Sequence, residues 1–227
     1  MNAHTAPTAQ RYAQACNDNH PAHIQSEVIY MPGPEPTNKV AIVTCMDARL
    51  DVFKMFGLKV GEAHVIRVGG GRTPDALRSL VASEHILETK EIMVVHHTDC
   101  GFMRAPTDEE AHTHIEQSLQ KANGVKLSTR HLPIQVIQQG DLNRSVCEDV
   151  QFLHSSPYIR NDAVLTGWIY DTMLGTIKEV REASAISQEG KGAPAAGDRI
   201  ARQTGQGILS TEHEVAASQR SLQQASA

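Results

Sequence analysis

Apolar positions along this chain fall into short blocks with two alternating rhythms. Lys39–Cys45, KVAIVTC, is a β-branched apolar run that fits a buried strand, and Ala63–Val68 (AHVIRV) and Glu91–His97 (EIMVVHH) repeat the pattern. Between them the spacing turns helical. Leu50, Val52, Phe53 and Phe56 predict a helix that stops at Gly57, and Leu77, Leu80, Val81, Ile86 and Leu87 predict one over Pro74–Thr89. Thr73 is the expected N-cap of the latter, with Pro74 at its first position and Asp75 in its first turn. Farther on, Glu109–Lys121 reads as an exposed helix, Pro133–Ile137 as a candidate fourth strand and Leu142–Ser155 as another helix. Ala163–Tyr170 and Gly175–Val180 read as a hairpin around Asp171–Gly175. Strands alternating with helices imply βαβ units, hence an α/β fold with a mainly parallel sheet and an antiparallel end.

Both ends of the chain break this rhythm. Residues 1–37 are polar and punctuated by Pro7, Pro21, Pro32, Pro34 and Pro36, and are expected to form an arm. A short helix over Thr8–Ala15 and an extended piece over Ile24–Met31 fit within it. No aromatic residue follows Arg181, and Ala, Ser, Gln and Gly dominate, so 183–227 reads as a flexible low-complexity tail with helix-forming potential near 211–224. The main domain is therefore expected at 38–182. Aromatics make up only 4% of the 227 residues, and none of them lies in that tail. A net charge of −5 argues against nucleic acid or an anionic membrane as the main partner. No run of about 18 apolar residues is present to span a bilayer. With no basic-then-apolar leader, a cytoplasmic protein is expected, in which Cys16, Cys45, Cys100 and Cys147 stay reduced.

Reduced thiols are available for metal. Cys45-Met46-Asp47-Ala48-Arg49 and His97-Thr98-Asp99-Cys100-Gly101 each begin where a predicted strand runs out. Sites in open α/β sheets form outside those carboxyl ends. Two thiolates and an imidazole suit one Zn²⁺, and three protein ligands leave a position for water, the mark of a catalytic site. His96 competes with His97 as the ligand. Cys147 lies in a helical pattern with Val146, Val150 and Leu153 and reads as core. Asp47, two residues past Cys45, can reach the metal or its water, and Arg49 can hold that carboxylate ionised through a bidentate pair. The pair also reads as a switch, with Asp47 as a fourth ligand on the metal when Arg49 releases it. Gly69–Gly71 lacks nucleotide-binding spacing and reads as a tight turn passing near the metal. Asp99 and Arg104 read as solvated flanks of the site, and Asp51 as a first-turn residue of its helix.

CMDARLDV, GEAHVIR, GGRTPDALRSL, KEIMVVHHTDCG and GWIYD together resemble a compact branch of the β-carbonic anhydrases over about residues 37–180. The resemblance implies a parallel four-stranded sheet with an added strand, an N-terminal arm packed on a partner subunit, and a homodimer or dimer-based oligomer. By position, Cys45, His97 and Cys100 match one zinc per subunit, and Asp47 and Arg49 the catalytic dyad. It further implies hydroxide attack on a small linear heterocumulene: CO2 hydration to bicarbonate as the first expectation, carbonyl sulfide hydrolysis to CO2 and hydrogen sulfide as the alternative. A related branch handles carbon disulfide. A non-catalytic zinc-binding regulator is a third reading, opposed by intact Asp47 and Arg49. Where many relatives read Ile-Arg-Asn-Ala-Gly, this chain has Ile66-Arg67-Val68-Gly69-Gly70. Val68, Gly69, Gly70 and Phe102 are the expected substrate pocket, and an apolar wall there leans toward sulfur.

Overall fold

The computed structural model describes residues 33–187 and, before them, residues 9, 10, 12–15 and 18. Residues 9, 10 and 12–15 are helical, within the predicted Thr8–Ala15. The predicted extended piece Ile24–Met31 and the tail from 188 onward lie outside the described residues.

The three apolar runs form β1 (Val40–Cys45), β2 (Ala63–Val68) and β3 (Glu91–His97), and β4 (Val164–Asp171) and β5 (Thr176–Glu179) follow. They make one five-stranded sheet in the order β2-β1-β3-β4-β5. The first four strands are parallel and β5 pairs antiparallel with β4. Central β1 is buried along almost its whole length, as a parallel strand covered on both faces must be. Helices α1 (Val52–Phe56) and α2 (Thr73–His85) connect β1 to β2 and β2 to β3. Helices α3 (Asp108–Asn123) and α4 (Leu142–Ser155) lie between β3 and β4, and α5 (Arg181–Ile186) follows β5.

One face of the sheet carries the main core, in which Ala41, Val43, Ile92 and Val94 meet Leu80 of α2 and Val146, Val150 and Leu153 of α4. Ile42, Val52 and Val95 form a second cluster on the other face. Cys147 packs at the edge of the main core. Packing continues past residue 182, because Ala183 of α5 is fully buried against that core.

Four parallel strands and one antiparallel strand are present as expected, but their membership differs. Pro133–Ile137 has no regular secondary structure and does not join the sheet. Its amides go to other acceptors: Ile137 N donates to Phe102 O (3.0 Å) and Val136 N to Asp108 Oδ1 (2.8 Å). The fourth parallel strand is β4, which also forms one arm of the predicted hairpin. The apolar signal at Ile137 reflects burial beside Cys45 and Cys100. Helix α2 likewise starts at Thr73, which is its first residue and not its cap. The Thr73 side chain makes no cap hydrogen bond; its hydroxyl points to α4 and donates to Asp149 O (3.0 Å). Helix α2 also stops at His85, short of Thr89.

Candidate metal centre

The chain leaves β1 toward β2, on one side, and leaves β3 toward β4, on the other. Diverging connections open a crevice beyond the carboxyl ends of two adjacent strands, the switch point of a doubly wound sheet. Cys45 is the last residue of β1 and His97 the last of β3. Cys100 follows at the end of the short turn after β3. Sheet topology alone therefore brings residues 55 apart in the chain to one place.

All three residues are buried, and one donor atom from each lies within 4.8 Å of the other two. Among the described residues this is the one cluster of three or more such donors. The sulfurs of Cys45 and Cys100 are 3.7 Å apart. His97 Nδ1 lies 2.8 Å from the Thr98 carbonyl, which only accepts, so Nδ1 carries the proton and Nε2 is the free lone pair. That Nε2 is buried and has no hydrogen-bond partner among the described residues. An orphaned imidazole nitrogen beside two thiols fits a soft divalent cation.

Electrostatics point the same way. A hydrogen bond from Cys100 and the nearby His97 imidazole pull the Cys45 thiol well below its usual range, and the resulting thiolate pushes Cys100 up. Burial works against protonating His97, but the Cys45 thiolate more than offsets it and raises the ring above its ordinary value. The cluster therefore favours a positive charge at its centre.

His96 is excluded as the ligand by its own contacts. Both its nitrogens are engaged on the opposite face of β3, with Nε2 2.8 Å from Asp149 Oδ2 and Nδ1 3.0 Å from Ser145 Oγ. Asp149 also accepts from Thr73, and Arg72 approaches both Asp149 and Ser145.

Asp47 sits over the cluster, its Oδ2 3.9 Å from His97 Nε2. Arg49 grips both carboxylate oxygens: Nε donates to Oδ1 (3.0 Å), Nη2 to Oδ2 (2.8 Å), and the Arg49 amide also reaches Oδ1 (2.9 Å). These bonds hold the Asp47 carboxyl far below the usual carboxylate range, and Arg49 is held charged in return. Asp99, expected only as a solvated flank, is bonded to the same guanidinium through Nη1 (2.7 Å). Asp51 caps α1, its carboxylate accepting from Lys54 N (3.3 Å).

Arg67 is a residue that sequence reasoning missed. Its guanidinium donates to the carbonyls of Cys45 (3.1 Å) and Asp47 (2.5 Å), which sets the path of the turn carrying both side chains. Its place in the strand motif Val65-Ile66-Arg67 was the available signal, since an arginine in an otherwise apolar strand needs acceptors nearby.

The expected pocket residues separate. Phe102 packs with Cys45 and Cys100, its ring resting on the glycine turn. A Cβ at Gly69 would lie 2.3 Å from Phe102 Cζ, and one at Gly70 would lie 3.2 Å from Phe102 Cγ. A Cβ at Gly71, where φ is +74°, would lie 3.2 Å from the Cys45 amide, so this turn must be glycine to run beside the β1 terminus. The Val68 side chain packs on the main core instead, while its carbonyl accepts from Met46 N (2.8 Å). No helix among the described residues is long and apolar enough to cross a membrane.

Comparison with known proteins agrees with this geometry. The family model described as "Carbonic anhydrase" matches residues 40–177. β-Carbonic anhydrase 1 of Mycobacterium tuberculosis is 37% identical over 153 residues, covering 66% of this chain and 86% of that protein. A carbon disulfide hydrolase of Acidithiobacillus thiooxidans is 30% identical over 161 residues, covering 63% of this chain and 78% of its own length. Among solved structures, a carbonic anhydrase from Streptococcus mutans superposes with a TM-score of 0.65 at 36% identity, over 78% of this chain and 99% of that one.

Proposed function

The chain belongs to the β-carbonic anhydrase family, and on that premise we propose that it is a zinc enzyme that hydrates CO2 to bicarbonate. The observation that carries this is the unpartnered Nε2 of His97 beside the two thiols, under a carboxylate held ionised by Arg49. Cys45, His97 and Cys100 would hold one Zn²⁺, which when bound acts as a Lewis acid and lowers the pKa of water toward neutrality. The rest of the chemistry belongs to the chain. Asp47, paired with Arg49, stays a pure hydrogen-bond acceptor and orients the attacking water through Oδ2. Because it never becomes a donor near neutral pH, that water turns its lone pair toward the substrate carbon. Phe102 and the glycine turn shield one side of the site from bulk water and offer a flat apolar surface to a linear, weakly polar molecule.

That apolar surface favours a second reading, hydrolysis of carbonyl sulfide to CO2 and hydrogen sulfide. Sulfur is larger and less strongly hydrated than oxygen, and carbon disulfide hydrolases are among the relatives. Assaying one purified preparation with CO2 and with carbonyl sulfide separates the two. Faster CO2 hydration supports the first reading, and sulfide release that far outpaces it replaces that reading with the second. By likeness to its relatives we also infer a homodimer or dimer-based oligomer. The arm is assigned to 1–37, and the catalytic domain runs from 38 through α5. Ala183 of that helix is buried in the core, so the expected boundary at 182 moves to the end of the helix. Light scattering and limited proteolysis test these assignments.

A further inference from the structure

The guanidinium of Arg49 is shared between two acceptors, and the second is Asp99. Arg49 Nη1 donates to Asp99 Oδ2 (2.7 Å) and Nη2 donates to the Asp99 carbonyl (2.8 Å). On its other edge, Nε and Nη2 bind the two carboxylate oxygens of Asp47. Four of the five N–H groups of the guanidinium are thereby directed, two to each side. Asp99 achieves this by adopting a left-handed backbone conformation, φ +53°, uncommon for a residue with a side chain. That conformation turns its carbonyl and its carboxylate toward the same arginine. Asp99 also lies between His97 and Cys100, so the arginine ties the turn after β1 to the turn after β3.

The distance from Asp47 Oδ2 to His97 Nε2, 3.9 Å, shows what this bracing opposes. A small movement would bring the Asp47 carboxylate to the centre of the donor cluster, where it would become a fourth ligand and close the site. Its bonds to Arg49 draw it the other way. Arg49 is itself half exposed on a long stem, so its grip on Asp47 depends on what holds its far edge. We propose that Asp99 is the positioning residue that fixes Arg49 against Asp47 and so keeps the Asp47 carboxylate off the metal. The inference rests on the zinc reading above. Asp99 is largely exposed, and a single exposed pair is weak. Its loss therefore shifts a balance severalfold and does not abolish the site.

The test uses the full chain loaded with zinc, and in parallel with cobalt(II), whose visible absorption reports its ligands. Asp99→Asn removes the charge while tolerating the left-handed backbone. Asp99→Gly removes the side chain altogether and leaves only the carbonyl acceptor. Both variants are expected to keep one metal per chain and to release zinc to a chelator about three- to five-fold more slowly than the parent, because a fourth protein ligand closes the site. The cobalt spectrum should shift in the same variants, and adding Asp47→Ala should abolish both effects. Release that is unchanged or faster overturns the role of Asp99, since a merely loosened turn would speed metal loss. A parent protein that binds no zinc would instead sink the zinc reading itself, and the two failures cannot be confused.

Discussion

At the end of β3 two adjacent histidines face opposite sides of the sheet, both fully buried. His96 turns toward α2 and α4, where Asp149 and Ser145 engage both nitrogens and the Arg72 guanidinium bonds Ser145 and pairs with Asp149. His97 turns toward the crevice, bonds one nitrogen to a carbonyl and leaves the other bare beside two thiols. Residue type and burial are the same, so neither separates structure from chemistry here. Satisfaction does. A buried imidazole whose partners are all protein atoms stabilises the fold, whereas one with a missing partner marks the place of something the chain must acquire.

The contrast breaks most sharply at the ligands. Replacing Cys45 or Cys100 with Ser, or His97 with Ala, should reduce bound zinc from one per chain to a small fraction and abolish turnover, as read by elemental analysis and gas assay. If the carboxylate orients water and is held off the metal, as proposed, Asp47→Ala should cost on the order of 10²–10³ in kcat while zinc content stays at one per chain. A drop in zinc content with that variant would make Asp47 a ligand instead. On the other face, Asp149→Ala leaves the buried Arg72 guanidinium without its buried counter-ion and strips His96 and Thr73 of an acceptor. Denaturant unfolding should show a loss of about 3–5 kcal/mol, with zinc stoichiometry of the folded fraction unchanged. If zinc affinity fell in step with stability, the two faces would not be separable. The smallest effect is expected at the pocket wall. Gly69→Ala forces the Phe102 ring aside, which should cost about 1–3 kcal/mol and alter the ratio of CO2 to carbonyl sulfide turnover while sparing metal binding.

Much of the fold is legible from periodicity. β1, β2 and β3 fall where β-branched apolar runs end in polar motifs, and the helices follow from spacing and caps. Pro133–Ile137 misleads because a short apolar run signals burial without saying which partners its backbone finds. Thr73 misleads because a hydroxyl at a helix start suggests a cap, whereas this residue is already helical and its side chain is oriented toward Asp149 on α4. In the site, Cys45, His97 and Cys100 can be named from residue type and position at strand ends. The bracing role of Asp99 has no sequence signal, since nothing in the local pattern says that a backbone at φ +53° will aim it at Arg49.

What the sequence determined alone was the inventory: which strands are buried, where they end, and which soft ligands and charged residues stand at those ends. These depend on neighbours close in the chain, so local patterns report them. Only the tertiary structure decided pairing. It set β1 beside β3, which joins Cys45 to His97 and Cys100, and it gave His96 its partners on α4 while withholding any from His97 Nε2. Those outcomes turn on directions and distances between segments some 50 residues apart, and a missing hydrogen-bond partner can be recognised only once every possible donor and acceptor has been placed.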